Sequence, residues 1–560
     1  MNKVLLSKIR IRNFGPIMDD EVLLEPFTYF IGRNNSGKSH YIKAIELLLA
    51  TKVPPKGEII KLQTDKSKEI IIEGDFVGVE KFTSLVSASN HKQAIENALH
   101  DGILRIVRVL DPNDEDKTTF GVYKTDGSIH NPGGFASNLL KVLPEPISIL
   151  ATADTVDELK NTQNTALSKL KRETLKVFFD KLKIKTKETL SELDAFLHSQ
   201  DAGVRSADLA DFEAHLKEEL MGEFADVVPS VEFGLPDEEV IAKEMKIFLD
   251  DGYRSEIEQK GHGLQRATLL ALLKVLAKHG ARYQDRPSPI FLIGELESFL
   301  HPFAQKQLAE VLTALVNQYQ IVTTTHSPFI ITPGGIEGYR RIRKHLQNGT
   351  KSIILKKGDL DIGLVKRHLE RRGNLEGLFA DRIILIEGDH DENFFETLRS
   401  LFNLPLPQKE FTLFIKAGGK TELRQARKFY EQMNFDDVAI ICDLDYLFSN
   451  DILYLLKEIG INDKYPEDLR KHIGWTGKGD PSLEFILKKL GEIGEPRYLE
   501  AILNDLRKER IFVLRRGAPE MYYKNNLNDK RGWVNVQSEA DLVEPDYLRD
   551  LMKEVLRASN

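Results

Sequence analysis

The chain predicts an α/β protein of several units, in which buried parallel strands carry chemistry at their ends. Three observations lead there. A Gly-rich turn joins an apolar strand to an apolar helix at "FIGRNNSGKSHYIKAIELLLA", residues 30–50; apolar runs such as "SPIFLIGELE" and "YQIVTTTHSP" end in charged or polar residues; and strand and helix alternation resumes after 381, where "DRIILIEGDHDENFFETL" and "DDVAIICDLDYL" again end in carboxylates. Short continuous apolar runs between turn signals are the pattern of strands buried on both faces.

The bulk numbers narrow the class. At 560 residues the chain predicts about three or four domains. Charged residues make up 29% and hydrophobic ones 41%, which is ordinary soluble composition. No apolar run approaches the roughly 20 residues that cross a bilayer, and the N-terminus lacks a signal-peptide pattern. A cytoplasmic protein with no membrane partner is therefore expected. The single cysteine, Cys442, excludes an internal disulfide and a Cys-rich zinc site. A net charge of −8 argues against a generally basic DNA-coating protein, so nucleic-acid contact has to come from local patches.

The first stretch fits G-x-x-x-x-G-K-S, with Gly32, Gly37, Lys38 and Ser39 at the fixed positions and Asn34, Asn35 and Ser36 between them. Glycines let such a loop fold around an anion, so that backbone N–H groups and the following helix N-terminus point inward; the lysine reaches the β- and γ-phosphates and the serine holds Mg²⁺. "VLLSKIRIRNFGP" and "EVLLEPFTYFIG" before it read as strands, and Ile42, Ile45, Leu48 and Leu49 after it recur at helical spacing. The motif thus has the strand, loop and helix context that its chemistry needs, and predicts ATP as a ligand.

Residues 1 to about 150 continue as strands and short helices with turns such as "DPNDEDK". From about 156 to 222 the pattern changes to charged helices. Leu167, Leu170, Val177, Phe178 and Leu182 mark one apolar stripe, and Leu190, Leu193, Phe196 and Leu197 another. A stripe shows only that a face is buried, which suits a dimerising helical arm and a hairpin packed on its own domain equally.

Three later stretches bear on the kind of ATPase. "GHGLQRATLLALL", residues 261–273, places a Gly-x-Gly turn and Gln265 at the start of an apolar helix. "SPIFLIGELESFLHP", residues 288–302, runs a buried strand into Glu295 and Glu297; a carboxylate there can orient the water that attacks a γ-phosphate. "YQIVTTTHSPFI" ends a further strand at His326 and Ser327. In this order the motifs resemble the ABC-type ATPase heads of the SMC and Rad50 class. By that resemblance Gly261, Gly263 and Gln265 contact the γ-phosphate bound on a partner head, Glu295 is the catalytic glutamate, His326 senses the γ-phosphate, and a homodimer or higher homo-oligomer is implied. One departure stands out: Gly294 occupies the place of the acidic residue that precedes the catalytic glutamate, and Leu296 that of a common proline. The missing carboxylate would hold the Mg²⁺ water shell, so ATP binding with slow hydrolysis is expected.

The C-terminal third carries a second chemistry. One strand ends in Glu387 and Gly388, with Asp391 opening a helix; a second ends in Asp443 and Asp445. Several oxygen ligands at the C-terminal edge of a parallel sheet suit a hard cation such as Mg²⁺ or Mn²⁺. A pair of such ions stabilises both the attacking and the leaving oxygen of a phosphodiester cleavage. Glu-Gly on one strand and Asp-x-Asp on a later one is the TOPRIM pattern. An ABC-type head followed by TOPRIM resembles the OLD (overcoming lysogenization defect) family of ATP-linked nucleases, which includes the nuclease subunit of Gabija and effectors encoded beside some retrons. By that resemblance "DPSLEFIL" offers Glu484 and "VLRRGAPEMYY" offers Glu520 as further metal or catalytic carboxylates. It also implies a catalytic lysine near the C-terminus: Lys524 and Lys530 are candidates that spacing does not separate, and Lys553 lies within range too.

The expected organisation is an ABC ATPase N-terminal part over 1–155, a helical, dimerising insertion over 156–240, the ATPase C-terminal part over 241–370 and a TOPRIM nuclease domain over 376–560. Basic clusters at Arg340, Arg341, Arg343 and Lys344, at Arg371 and Arg372, at Arg424, Arg427 and Lys428, and at Arg515 and Arg516 suggest a phosphate track. Each cluster alone suits a solvated face better than a phosphate track. The expected function is an ATP-regulated, metal-dependent DNA endonuclease or nickase in bacterial anti-phage defence, with an operon partner such as a helicase-like subunit or a retron reverse transcriptase. The alternative is an ATP-binding sensor or scaffold whose TOPRIM domain binds without cutting. Rad50-like tethering is disfavoured, since an insertion of about 70 residues is too short for a long coiled coil at about 1.5 Å per residue.

Overall fold

In the computed structural model the described residues are 3–51, 55–111, 119–124, 127–150, 169–170, 174, 207–222, 224, 226–232, 246–279, 286–298, 300–345, 347–356, 358, 360–404, 411–461, 464–524 and 536–557. The chain forms two compact units, Met1–Ser352 and Ile353–Asn560, fewer than length alone suggests. The junction falls earlier than residue 370 because the helix Ile362–Glu370 packs on the helix Leu423–Gln432 and so belongs to the second unit.

The first unit holds two large sheets. Leu5–Phe14 pairs antiparallel with Ile17–Leu23 and Ile70–Val77 in a seven-stranded sheet. Its residues alternate: Leu6, Ile9 and Ile11 are buried, while Lys8, Arg10 and Arg12 stand on the other face. The second sheet has six strands, ordered Gly349–Ile354, Tyr339–His345, Phe27–Ile31, Gln320–Thr324, Ile290–Gly294, Pro146–Leu150. The five strands from Tyr339–His345 to Pro146–Leu150 pair in parallel. Strands Ile290–Gly294 and Gln320–Thr324 are buried at every residue, which explains their unbroken apolar or β-branched run. Helix Lys38–Leu49 packs its Ile42, Ile45 and Leu48 into the core between the sheets.

Of the charged-helix region, the described helix Ala207–Met221 buries Leu209, Phe212, Leu216 and Leu220 and packs against the helix His262–His279 of its own chain. Leu170 is buried too. The remaining positions of both predicted stripes lie outside the described residues.

The second unit is a four-stranded sheet ordered Thr412–Lys416, Arg382–Ile386, Val438–Asp443, Ile511–Leu514, parallel throughout. Ile384, Ile386, Phe394, Phe395 and Leu398 build its core with Met552 and Val555 of the last helix, Pro545–Leu556. Beneath the sheet Asp437 joins Arg382 at 2.7 Å and Arg510 at 2.8 Å; Arg382 and Asp437 are both buried, and burial of this pair ties three separate chain segments together. Among the described residues no helix is long and apolar enough to cross a membrane.

Candidate functional site

Parallel strands bring their following loops to one edge. In the first unit that edge collects the Gly-rich loop, Glu295 and His326. Lys38 is buried at the head of its helix, and its ammonium donates to the carbonyls of Gly32 at 3.2 Å and Arg33 at 2.9 Å. Burial lowers its pKa to about 8 against the opposing pull of Glu295 and Glu297, and a phosphate at this place would draw it upward again. Gly32 has φ 144°, and a Cβ there would stand 2.5 Å from the Ile342 carbonyl oxygen, so the turn admits glycine alone. Asn34, Asn35 and Ser39 are exposed, while the buried Ser36 hydroxyl has no hydrogen-bond partner among the described residues. An inward-facing orphan hydroxyl and a buried lysine fit a phosphate.

Glu295 has the left-handed φ of 50°, a conformation stored mainly where function needs it. That turn sets its carboxylate 3.3 Å from His326 Nε2. The His326 hydrogen bond holds the Glu295 carboxyl below the usual range, with Lys38 adding to the effect. Glu297, which the strand pattern presents as Glu295's equal, is instead buried; it accepts from the Thr325 hydroxyl at 2.6 Å and the His326 N–H at 2.8 Å and so fixes the histidine's backbone. Gly261 and Gly263 are exposed at the opening of the helix His262–His279. Gln265 is buried, and its amide donates to the carbonyls of Ile257 at 3.1 Å and Glu258 at 3.2 Å. Its side chain braces its own turn within the chain.

In the second unit, Glu387, Asp443 and Asp445 each place a carboxylate oxygen within 4.8 Å of the others. Glu387 follows the strand Arg382–Ile386, and one of its oxygens accepts from the Asp443 N–H at 3.3 Å. Its carbonyl accepts from both Gly418 and Gly419, each at 3.0 Å. Leu444 donates to the Gly517 carbonyl at 2.8 Å, which draws the segment bearing Glu520 to the Asp443 turn. Gly388 is extended (φ −160°) with open space at its Cβ position, so its backbone does not itself require glycine; its N–H donates to Asp391 at 2.8 Å.

These carboxyls share a strained electrostatic setting. Burial first, then Asp445 and Asp391, pushes Glu387 up to about 7. Burial also raises Asp443 well above its ordinary value, with Glu387 and Asp391 adding, and raises Asp391. Like charges held together in a half-buried site favour protons or a cation. The donor set is all oxygen, which fits a hard divalent ion.

Glu484 is exposed in the first turn of the helix Leu483–Ile493 and does not belong to the three-carboxylate cluster. Lys530 lies outside the described residues. Lys524 is exposed, with its N–H bound to the Asp541 carbonyl at 2.9 Å. A functional side chain outside the sequence motifs is Lys420, whose ammonium stands 2.7 Å from Asp445. It sits inside "KAGGKTELRQARK", where a cation after a strand end and a Gly-Gly turn was the available signal.

The basic clusters are largely committed elsewhere. Arg340 is buried and donates to the carbonyls of Leu23, Glu337 and Tyr339. Arg371 pairs with Glu422, Arg424 with Asp451 and Glu458, Arg427 with Glu431, and both Arg515 and Arg516 with Glu544. Most of them hold the fold's own carboxylates and carbonyls together.

Both units resemble known proteins. A family model described as "AAA ATPase domain" matches residues 5–120 and 114–331, and one described as "Overcoming lysogenization defect protein-like, TOPRIM domain" matches residues 378–445. The Old nuclease of Escherichia phage P2 is 26% identical over 474 residues, which cover 81% of this chain and 80% of that protein. The endonuclease GajA of Bacillus cereus (strain VD045) is 23% identical over 415 residues, covering 70% and 67%. Among solved structures, an Smc head domain from Pyrococcus furiosus with an extended coiled coil aligns at a TM-score of 0.41 and 13% identity, over 63% of this chain and 96% of that one. With an ATPase edge in its first unit and an OLD-like TOPRIM carboxylate edge in its second, the chain belongs to the OLD family of ATPase-nucleases.

Proposed function

We propose that this protein is an ATP-regulated, divalent-metal-dependent DNA endonuclease or nickase acting in bacterial defence against phage. The carrying observation is the convergence of Glu387, Asp443 and Asp445 at one sheet edge. Those three residues would hold a divalent ion, with Asp391 and Glu520 beside them and Glu484 and Lys530 as further candidates. A bound Mg²⁺ or Mn²⁺ supplies charge stabilisation to the oxygens of a phosphodiester. Lys420 keeps a positive charge against Asp445 and is placed to meet a phosphate that approaches it. The defence role and an operon partner follow the family resemblance.

In the first unit Lys38 and Ser39 would grip the nucleotide, Glu295 would orient the attacking water and His326 would sense the γ-phosphate. Gly261 and Gly263 would complete the site of a second copy of the chain. Nucleotide then regulates cutting as a ligand that binds one of two states more tightly, without powering it.

A plasmid-nicking assay in Mg²⁺ and in Mn²⁺ tests the reading. Cleavage is expected to need the ion and to vanish in Glu387→Ala and Asp443→Ala. Undiminished cutting by folded variants would remove the carboxylate site from the reaction. Binding of DNA without any cutting, in either metal and with nucleotide present, would instead favour the sensor or scaffold reading.

A further inference from the structure

The turn that carries Lys420 is tied down at both ends by one short segment elsewhere in the second unit. The turn runs from Lys416, the last residue of its strand, through Gly418 and Gly419 to the single helical turn Lys420–Glu422. Toward the neighbouring strand, the N–H groups of Ala417, Gly418 and Gly419 donate to the carbonyls of Ile386 and Glu387 at 2.8, 3.0 and 3.0 Å. The segment that follows the helix Ile362–Glu370 holds the two ends. The Asn374 amide donates to the Lys416 carbonyl at 2.7 Å, and the Arg371 guanidinium donates to both Glu422 oxygens, at 2.8 and 3.2 Å. That guanidinium lies so close over Gly418 that a Cβ there would stand 1.9 Å from its Cζ. Lys420 leaves the turn so fixed and reaches Asp445 at 2.7 Å.

We propose that Arg371 is a positioning residue that acts through Lys420: by gripping Glu422 with both arms of its fork, it sets the turn that aims the Lys420 ammonium at the carboxylate edge. Two parallel bonds from a planar group fix orientation as well as distance, which a lysine's point charge does not. Arg371 keeps 29% of its side chain exposed, and a pair so placed adds little to stability, so its consequence is geometric. The inference rests on the reading of this edge as one that meets a DNA phosphate, and goes beyond it in taking Arg371 out of the phosphate track and giving it to the aim of Lys420.

Binding of a duplex oligonucleotide by the full chain, followed across a salt series with and without Mg²⁺, tests this beside plasmid nicking. Arg371→Gln and Arg371→Lys are both expected to weaken binding as far as Lys420→Gln does and to lower the salt slope by about one. Combining either with Lys420→Gln should add nothing further, as for groups that act as a unit. Glu422→Gln decides the sign. If Arg371 itself touched the phosphate, removing its carboxylate partner would strengthen binding; as a positioning pair, its loss should weaken it. Tryptophan emission reports the fold of each variant, and Glu422→Gln breaks the same pair from the other side should Arg371→Gln fold poorly. Wild-type binding by Arg371→Lys, losses that add to that of Lys420→Gln, or tighter binding by Glu422→Gln would each overturn the proposal while wild-type nicking left the nuclease standing. A wild type that neither binds nor nicks DNA in either condition would sink both.

Discussion

Replacing Glu387 by glutamine should stabilise the metal-free protein while it abolishes its chemistry. The carboxyl is moved from its ordinary 4.5 to about 7 by burial and by Asp445 and Asp391. At 1.36 kcal/mol for each tenfold change in proton affinity, the ionised folded state carries a penalty of roughly 3 kcal/mol. Below pH 4.5 the group is protonated whether the chain is folded or not, and nothing is lost. Between 4.5 and 7 the unfolded chain releases the proton while the folded chain keeps it, so stability falls as pH rises. Above 7 the loss is complete. Glutamine has no proton to lose, and its absence of charge also relieves Asp443, for which Glu387 is the largest repulsive neighbour. Both tryptophans, Trp475 and Trp533, lie in the second unit, so their emission follows its unfolding alone. For a unit of this size about 2–4 °C accompanies each kcal/mol, which gives roughly 6–12 °C. With chelator present, wild-type Tm should fall by about that amount from pH 5 to pH 8, and Glu387→Gln should fall less, since Asp443 and Asp391, raised first by burial, still titrate in it. Added Mn²⁺ should raise the wild type and leave the variant largely unmoved. A wild-type profile that stays level, or a variant less stable than wild type at pH 8, would refute the electrostatic reasoning.

Further outcomes follow from the same geometry. Lys38→Ala should change how cleavage responds to a non-hydrolysable ATP analogue while the metal requirement persists; identical rates with and without analogue in both proteins, binding confirmed, would end the idea of coupling. ATP turnover should be slow, because Gly294 leaves the Mg²⁺ shell one carboxylate short, and Glu295→Gln should slow it further in a phosphate-release assay; fast turnover insensitive to that change would show that Glu295 plays no such part. Lys420→Gln should weaken DNA binding in a salt titration and reduce the salt slope by about one, an expectation that an unchanged slope would contradict. Asp437→Ala should cost the second unit about 3–5 kcal/mol, since Arg382 would be left buried without its partner; a denaturant midpoint like that of wild type would count against this role.

Some of this protein is written in local order. The Gly-x-x-x-x-Gly-Lys-Ser loop announces itself because one glycine needs a positive φ and the lysine must follow a strand, and both demands act within ten residues. The same holds for the strand ends at Glu387 and Asp443, where an apolar run stops at a carboxylate. What the sequence could not rank was burial. Glu295 and Glu297 look alike two residues apart, yet a left-handed turn exposes the first to His326 while the second sinks beneath Thr325. Arg340 and Arg371 look like a phosphate track, yet one is buried on carbonyls and the other is paired with Glu422. Asp437 stands in the same quoted run as Asp443, but only folding brings Arg382 and Arg510 from 55 and 73 residues away to hold it. Lys420 was invisible for the same reason: its meaning comes from Asp445, which reaches it only across the edge of the parallel sheet. Residue type and spacing determine which chemistry a chain can carry, because those are properties of neighbouring bonds. Which groups face one another across a sheet edge is a matter of long-range packing, and only the tertiary structure decides it.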